Sequence, residues 1–300
     1  MDTKQIEYII KISEENNITH AAEKLFITQS ALNQQLLKLE KELGTPLFHR
    51  SRTNWRLTEA GEVYVQNARE ILNIKKNTYD RIHDIAEHKK GVLKIGITPG
   101  RGIDMFSAVY PAFHKDYPDI LVEPVEKGVR ELQNMISDGQ IDISFLTLSP
   151  QDRTNDEYIP LLEEEILLVI PKGHPLGAEA APPGQPFAIM DLSRLIYEPF
   201  VLMNKGSTMR SLSDKIFEEA GFKPNILFET RNNVTVLTMI RTNLCCGLIP
   251  HYYVRRDFSD MACFSLPDHP HWEVAASYKK GGYLSRPARE FIELAKNYWS

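Results

Sequence analysis

The sequence predicts two fold classes in succession: a small all-α unit continued by one long helix, and then a larger α/β unit. Three observations carry this. Apolar residues recur at helical spacing between Ala21 and Leu43, with a break at Phe26-Ile27-Thr28. From Thr58 onward a helical pattern runs for thirty residues without a proline. Beyond Gly91, short strand-like runs alternate with helical segments, the pattern of an α/β architecture.

The first element pair is set by Ala21, Ala22 and Leu25 on one side of the break. Leu32, Leu36, Leu39 and Leu43 follow on the other side. Thr28 is placed as the N-cap of the second helix, because its hydroxyl can accept from the free amides of the first turn. Gln29, Ser30, Asn33 and Gln34 follow it, short uncharged side chains that both donate and accept. In a helix-turn-helix that end of the second helix enters the major groove and reads base edges. An ordinary three-helix bundle with a polar face would share the periodicity. Residues 1–90 carry 14 Lys/Arg against 13 Asp/Glu, and the remainder 21 against 27, so the net charge of −5 hides a weakly basic beginning. His49, Arg50, Arg52 and Arg56 lie within eight residues, beside Lys38 and Lys41. Such a cluster can meet phosphates, although a solvated loop has a similar composition.

The long helix from Thr58 has two apolar stripes. Val65, Ala68, Leu72, Tyr79, Ile82 and Ala86 make one, broken at Lys75; Tyr64, Ile71, Thr78 and Ile85 make the other. One stripe can cover the preceding helices and the other a second copy of the chain, unless both are packed within one subunit. Lys89-Lys90-Gly91 ends it. Strands are then expected at Val92–Ile97, Leu121–Val125, Ile141–Thr147, Glu165–Pro171, Phe200–Met203, Ile226–Glu229 and Gly247–Ile249. Helices are expected from about Ile103 to Tyr117, at Val129–Ser137, Thr208–Ala220, Val234–Arg241 and Arg286–Trp299. Largely parallel sheets follow from the alternation. Gly177 to Pro186 reads as a surface loop, and the chain is expected to cross between two lobes near 163 and again near 267.

Three hundred residues suit two domains better than one. No run approaches the roughly 18 apolar residues of a membrane span, and the first residues alternate charge as no secretory signal does. Cys245, Cys246 and Cys263 cannot all pair, which points to a reduced, cytoplasmic protein.

Ligands of open α/β sheets bind beyond the carboxyl ends of strands, where helix N-termini offer free amides to an anion. Thr98, Gly100, Arg101 and Gly102 follow the first strand of the α/β unit; Thr147 and Ser149 end a later one. Gly206, Ser207 and Thr208 open a helix, with Lys205 and Arg210 beside them, and Asn232-Asn233 precede another. Each also reads as an ordinary cap or turn. Together they suit a small organic anion such as a carboxylate. His269-Pro-His271 lacks a third metal ligand, Cys245-Cys246 precede a buried strand, and no nucleophile–base pair or phosphate loop stands at motif spacing. Neither a cofactor nor a metal is expected.

Many of these residues fall in one register with a known family. Ala21-Ala22, Leu25, Thr28-Gln29-Ser30-Ala31-Leu32, Gln35, Leu39-Glu40, Leu43-Gly44, Leu47-Phe48, Arg50 and Leu57-Thr58-x-Ala60-Gly61 resemble the N-terminal domain of LysR-type transcriptional regulators. Leu93-x-Ile95-Gly96, Pro111-x-Phe113, Tyr117-Pro118, Gly139-x-Ile141-Asp142, Pro171-x-Gly-His-Pro-Leu176, Gly221-Phe-x-Pro224 and Gly247-Leu-Ile-Pro250 resemble, more loosely, its effector domain. The resemblance implies a winged helix-turn-helix at residues 1–58, a linker helix pairing subunits at 59–90, and a two-lobed effector domain like periplasmic solute-binding proteins at 91–300. Lobe I would comprise 91–163 and 268–300, and lobe II 164–267. It also implies double-stranded DNA and a small-molecule effector as partners, assembly into a homodimer or homotetramer, and no enzymatic activity. Gln29, Ser30, Asn33 and Gln34 would read bases, while Thr28, Lys38, Arg50, Arg52 and Arg56 would position the protein on phosphates. Asn33 stands where the family often has serine, and Trp55 where a small aliphatic is usual. An enzyme or a solute-binding protein built on the α/β region is the alternative.

Overall fold

A computed structural model describes residues 2–51, 54–86, 90–254 and 260–299. The chain divides into two compact units, one built mainly from residues 1–88 and the other from most of the remainder.

The first unit begins with α1 (Thr3–Glu15) and α2 (Ile18–Lys24), the latter capped by Asn17, whose side-chain oxygen accepts from the amides of Thr19 and His20 at 2.8 and 3.2 Å. The break expected at Phe26-Ile27-Thr28 is a tight turn with Phe26 in the left-handed region at φ 54°. Thr28 then caps α3 (Gln29–Leu43), accepting from Ala31 N–H at 3.2 Å. Ile6, Ile9 and Ile12 pack against Ala21, Ala22, Leu32, Leu36 and Leu39, all buried. Each large side chain among them contributes about 1.5–3 kcal/mol. A short antiparallel wing, β1 (Phe48–His49) with β2 (Arg56–Leu57), follows, and α4 (Glu59–Ile85) starts at a Thr58 cap. Gly61 is required where α4 meets the wing, because a Cβ there would lie 2.1 Å from the Leu47 carbonyl oxygen. Val65 and Ala68 join the core, whereas Ile74, Tyr79, Ile82 and Ile85 farther along α4 are exposed.

The second unit runs β3 (Gly91–Ile97), α5 (Arg101–Asp116), β4 (Ile120–Glu126), α6 (Val129–Ser137), β5 (Ile143–Leu148), β6 (Glu157–Pro171) and β7 (Ala188–Ile189). It continues with β8 (Pro199–Met203), α7 (Thr208–Glu219), β9 (Asn225–Thr230), α8 (Asn233–Arg241), β10 (Gly247–Pro250), β11 (Met261–Ser265), β12 (His271–Tyr278) and α9 (Arg286–Trp299). The main sheet has the order β4-β3-β5-β12-β6-β11-β7, with β10 also on β6, while β8 and β9 form a separate parallel pair.

The sheets are mixed, not largely parallel. β3 pairs in parallel with β4 and β5, but β12 runs antiparallel to both β5 and β6, and β10 and β11 are antiparallel to β6. The reason is the length of β6. Its first nine residues pair with β12 and its last six with β10 and β11, so one strand serves both lobes. Clusters of buried side chains lie against this framework, one of them built on Leu132, Ile136, Leu146 and Leu148, another on Ile166, Leu168, Phe200 and Phe217. α9 returns to α5, with Phe291 packed among Phe106, Phe113 and Phe145 at centroid distances of 5.2–5.9 Å.

Candidate functional site

Within the first unit, Leu32, Leu36 and Leu39 turn one face of α3 inward. That leaves Gln29, Ser30, Gln34 and Lys38 exposed on the other, with Asn33 half-buried between them. The Thr28 hydroxyl accepts as the cap and keeps its O–H to donate. Arg56 is exposed on β2. Arg52 lies outside the described residues. Arg50 has a structural engagement that its sequence position did not announce: its guanidinium pairs with Glu40 and sits 5.5 Å from the centre of the Trp55 ring. Glu40 is buried and also accepts from Leu47 N–H at 2.8 Å, so a carboxylate on α3 holds both ends of β1.

Within the second unit the ligand candidates fall into two groups. In one, the Thr208 hydroxyl donates to the Thr147 carbonyl at 2.9 Å, joining the end of β5 to the start of α7. Ser207 caps α7 by accepting from Arg210 N–H at 3.1 Å, and Ser149 N–H donates to the Asp152 carboxylate at 3.2 Å. Lys205 is exposed. Arg210, buried beside them, is committed to Asp214 and Glu229 at 2.7 Å each, which holds the Glu229 carboxyl below its usual range and leaves little positive charge for a ligand. A groove of about 370 Å³ opens nearby between the segment after β5, α7 and residues 268–271; of the candidates only Ser149 lines it.

The other group gathers at the start of α5. Thr98 is half-buried, and its hydroxyl oxygen lies 3.1 Å from where a Cβ on Gly102 would stand. Gly100 takes φ 76° as the N-cap and provides no side chain, and a Cβ there would come within 3.2 Å of the Tyr253 hydroxyl. Asn233, at the start of α8, is buried. Burial pushes the phenol up, against the pull of Asn233 and Arg101, so it stays protonated. The Arg101 guanidinium is 4% exposed and pairs with Glu164, with Cζ 4.7 Å from the ring centres of both Tyr252 and Trp299. Glu164 also accepts from Tyr252 N–H at 2.6 Å and Trp272 Nε1 at 2.7 Å. Tyr252, Tyr253, Glu164, Trp272 and Trp299 escaped the sequence reading; the Tyr252-Tyr253 pair just beyond Gly247-Leu-Ile-Pro250 was the available signal. His269, paired with Glu165 at 2.8 Å, and His271, bonded to the His269 carbonyl at 3.2 Å, serve the loop before β12.

Two family models match: "Bacterial regulatory helix-turn-helix protein, lysR family" over residues 3–62 and "LysR substrate binding domain" over residues 86–300. The chain belongs to the LysR family of transcriptional regulators. It is therefore a DNA-binding regulator with an effector-binding domain and not an enzyme. Among relatives of this LysR-family regulator, the HTH-type transcriptional regulator YcgK of Bacillus subtilis (strain 168) is 31% identical, over 99% of this chain and 94% of the relative. The Hca operon transcriptional activator HcaR of Escherichia coli (strain K12) is 27% identical, over 99% and 97%. In fold, the regulator matches a full-length OxyR variant from Pseudomonas aeruginosa with a TM-score of 0.73 at 21% identity, over 100% of this chain and 97% of that one. CbnR solved with its target DNA matches at 0.59 and 20%, over 99% of each chain. Among the described residues, no helix of this regulator is long and apolar enough to cross a membrane.

Proposed function

We propose that this regulator reads an operator with Gln29, Ser30, Asn33 and Gln34 and is held on the phosphates by Thr28, Lys38, Arg56 and the wing residues Arg50 and Arg52. The observation that carries the reading is the Thr28-capped N-terminus of α3, which presents an exposed polar face opposite Leu32, Leu36 and Leu39. Base-edge contacts specify sequence and phosphate contacts position. The test is fluorescence anisotropy on operator and scrambled duplexes across a salt series. Arg56→Ala should weaken binding to both duplexes and reduce the salt slope by about one, whereas Gln29→Ala should relax discrimination at one base step. Equal losses on random DNA for both variants would overturn this division of roles.

The proposed organisation is a DNA-binding domain at 1–58, a pairing helix at 59–90, and an effector domain at 91–300 with lobes of 91–163 plus 268–300 and of 164–267. A second copy covers the exposed Ile74, Tyr79, Ile82 and Ile85 of α4, giving a homodimer or a homotetramer on two half-sites. The effector in this reading is a small organic anion bound between the lobes, in the region of Thr98, Gly100, Arg101, Gly102, Thr147, Ser149, Lys205, Ser207, Thr208 and Asn233. It shifts the subunit arrangement by no more than its difference in affinity for the two arrangements.

A further inference from the structure

The turn between α2 and α3 places two unfavourable features on one residue. α2 closes as a Schellman motif, in which Ile27 N–H donates to the Ala22 carbonyl and Phe26 N–H to the Glu23 carbonyl, each at 3.1 Å. Phe26 therefore occupies the position that this motif usually gives to glycine, and it takes φ 54°. The other described non-glycine residues at positive φ are Asn16, Asn243 and His269, types that enter the left-handed region more readily. A phenylalanine is strained there, because its Cβ crowds the following carbonyl oxygen.

The strain secures no packing. Phe26 is 95% exposed, more than any other large apolar side chain among the described residues. A lone exposed apolar residue is ordinary on a protein surface. Here, however, glycine would make the same turn with neither the strain nor the exposed ring. The neighbours Leu25 and Ile27 are half-buried and join the core of the first unit, so the turn is anchored without Phe26. Backbone strain that serves no local packing is characteristic of binding sites.

What covers the ring follows from where the turn lies. Phe26 stands two residues before Thr28, the cap of α3, and Gln29 and Ser30 are exposed just beyond it. This end of α3 is the one assigned above to the major groove, so the preceding turn lies beside the same DNA. Among the exposed residues from 26 to 30, Phe26 alone is apolar. The apolar feature of the major groove is the thymine C5-methyl, a group that phenylalanine covers.

We propose that Phe26 is a specificity-determining residue whose ring packs on a thymine methyl in the site read by α3. The proposal rests on the reading of α3 as the recognition helix and adds an apolar contact to its polar ones. The two backbone hydrogen bonds of the turn fix the ring's point of attachment before DNA arrives, which lowers the cost of ordering it on binding.

The test uses the full chain and a duplex that the native chain selects from a randomised pool, with binding read by fluorescence anisotropy. Phe26→Gly should keep or raise the midpoint of urea unfolding. It should nevertheless weaken the selected duplex at least about fivefold, and a scrambled duplex by less than about twofold. Damage to the fold would not produce a variant that is as stable and binds worse. Phe26→Leu keeps an apolar group and should recover most of the affinity. Replacing thymines by uracil one at a time should weaken the native chain about fourfold at one position, a buried methyl's worth, and leave Phe26→Gly unmoved there. A uracil scan with no sensitive position, or the same sensitivity in Phe26→Gly, would overturn the proposal. So would full affinity of Phe26→Gly with loss of transcriptional control, which would assign the ring to a protein bound alongside. Gln29→Ala separates this proposal from the reading beneath it. If Gln29→Ala relaxes discrimination while Phe26→Gly binds as the native chain does, α3 still reads bases and the Phe26 contact is removed. If neither variant changes binding, or the native chain selects no sequence, both readings fall.

Discussion

Glu40 exemplifies how much a single side chain can organise. From the buried side of α3 it accepts the Leu47 amide and the Arg50 guanidinium, and Arg50 in turn lies over Trp55, which packs 5.8 Å from Phe48 and donates its backbone N–H to the Asn16 carbonyl at 2.8 Å. The wing is thereby tied to the recognition helix by one carboxylate. Glu40→Gln keeps an acceptor for Leu47 but removes the ion pair. Stability in urea should fall by about 1–2 kcal/mol, a charge-assisted hydrogen bond's worth. The charge of Arg50, no longer offset by Glu40, should bear more fully on the phosphates, so the salt slope of DNA binding should steepen by up to about one. An unchanged slope with lowered stability would mean that Glu40 does not offset the charge Arg50 presents to DNA. The cap at Thr28 and the polar face after it were legible in the sequence because their physics is local, spanning three or four residues. The pairing of Glu40 with Arg50 spans ten and passes through a turn, so no periodicity reports it. At the start of α5 Arg101 was legible as a cation after a strand. Its partners Glu164, Tyr252 and Trp299 are 63 to 198 residues away in sequence and meet it only through the fold.

Elements repeat the contrast. α6 and α9 begin and end where the spacing of apolar residues put them, at Val129–Ser137 and Arg286–Trp299, because one face of each is buried and the other solvated. β6 did not yield so readily. Its first half contains Glu163, Glu164 and Glu165, a charge run that reads as a connection, yet in the fold Glu163 and Glu164 pair with Glu273 and Trp272 of β12. β12 itself is buried without a break from Trp272 to Ser277, so it has no alternation to detect. These two strands are the ones that turn an expected parallel sheet into a mixed one. α4 poses the opposite question, since its pattern was plain and Ile74, Tyr79, Ile82 and Ile85 in its far half are exposed in one subunit. At about 1.5 Å per residue it extends roughly 40 Å, well past the core it caps. Replacing Ile74 and Ile82 together by Lys should convert a dimer to a monomer in analytical ultracentrifugation, with helical content retained and operator affinity lowered. Persistence of the dimer would place the contact elsewhere.

For the molecule as a whole, the three thiols bear on its chemistry and its pH range. Burial pushes Cys245 up to about 11 and Cys246 and Cys263 up to about 12, from an ordinary 9.0, so all three are thiols at neutral pH and poor nucleophiles. The folded state keeps these protons while an unfolded chain releases them above about pH 9. Stability that is fully present below pH 9 is therefore lost as pH rises toward 12. Urea midpoints measured from pH 7 to 11 should fall for the native chain and fall less steeply for Cys263→Ala, after allowance for its lower starting value. Parallel slopes would show that Cys263 does not contribute.

The place of β12 in the sheet also sets an order of manufacture. The DNA-binding core needs little beyond residue 86, and the ribosome has delivered it when most of the chain is still unmade. The sensor cannot close until His271–Tyr278 arrives to fill the gap between β5 and β6, and α9 comes later still. A nonsense mutation or a ribosome stalled anywhere in between would release a reader of DNA deaf to its signal. Such fragments would compete with intact copies for the same operators, so loss of the last thirty residues should behave as a dominant lesion.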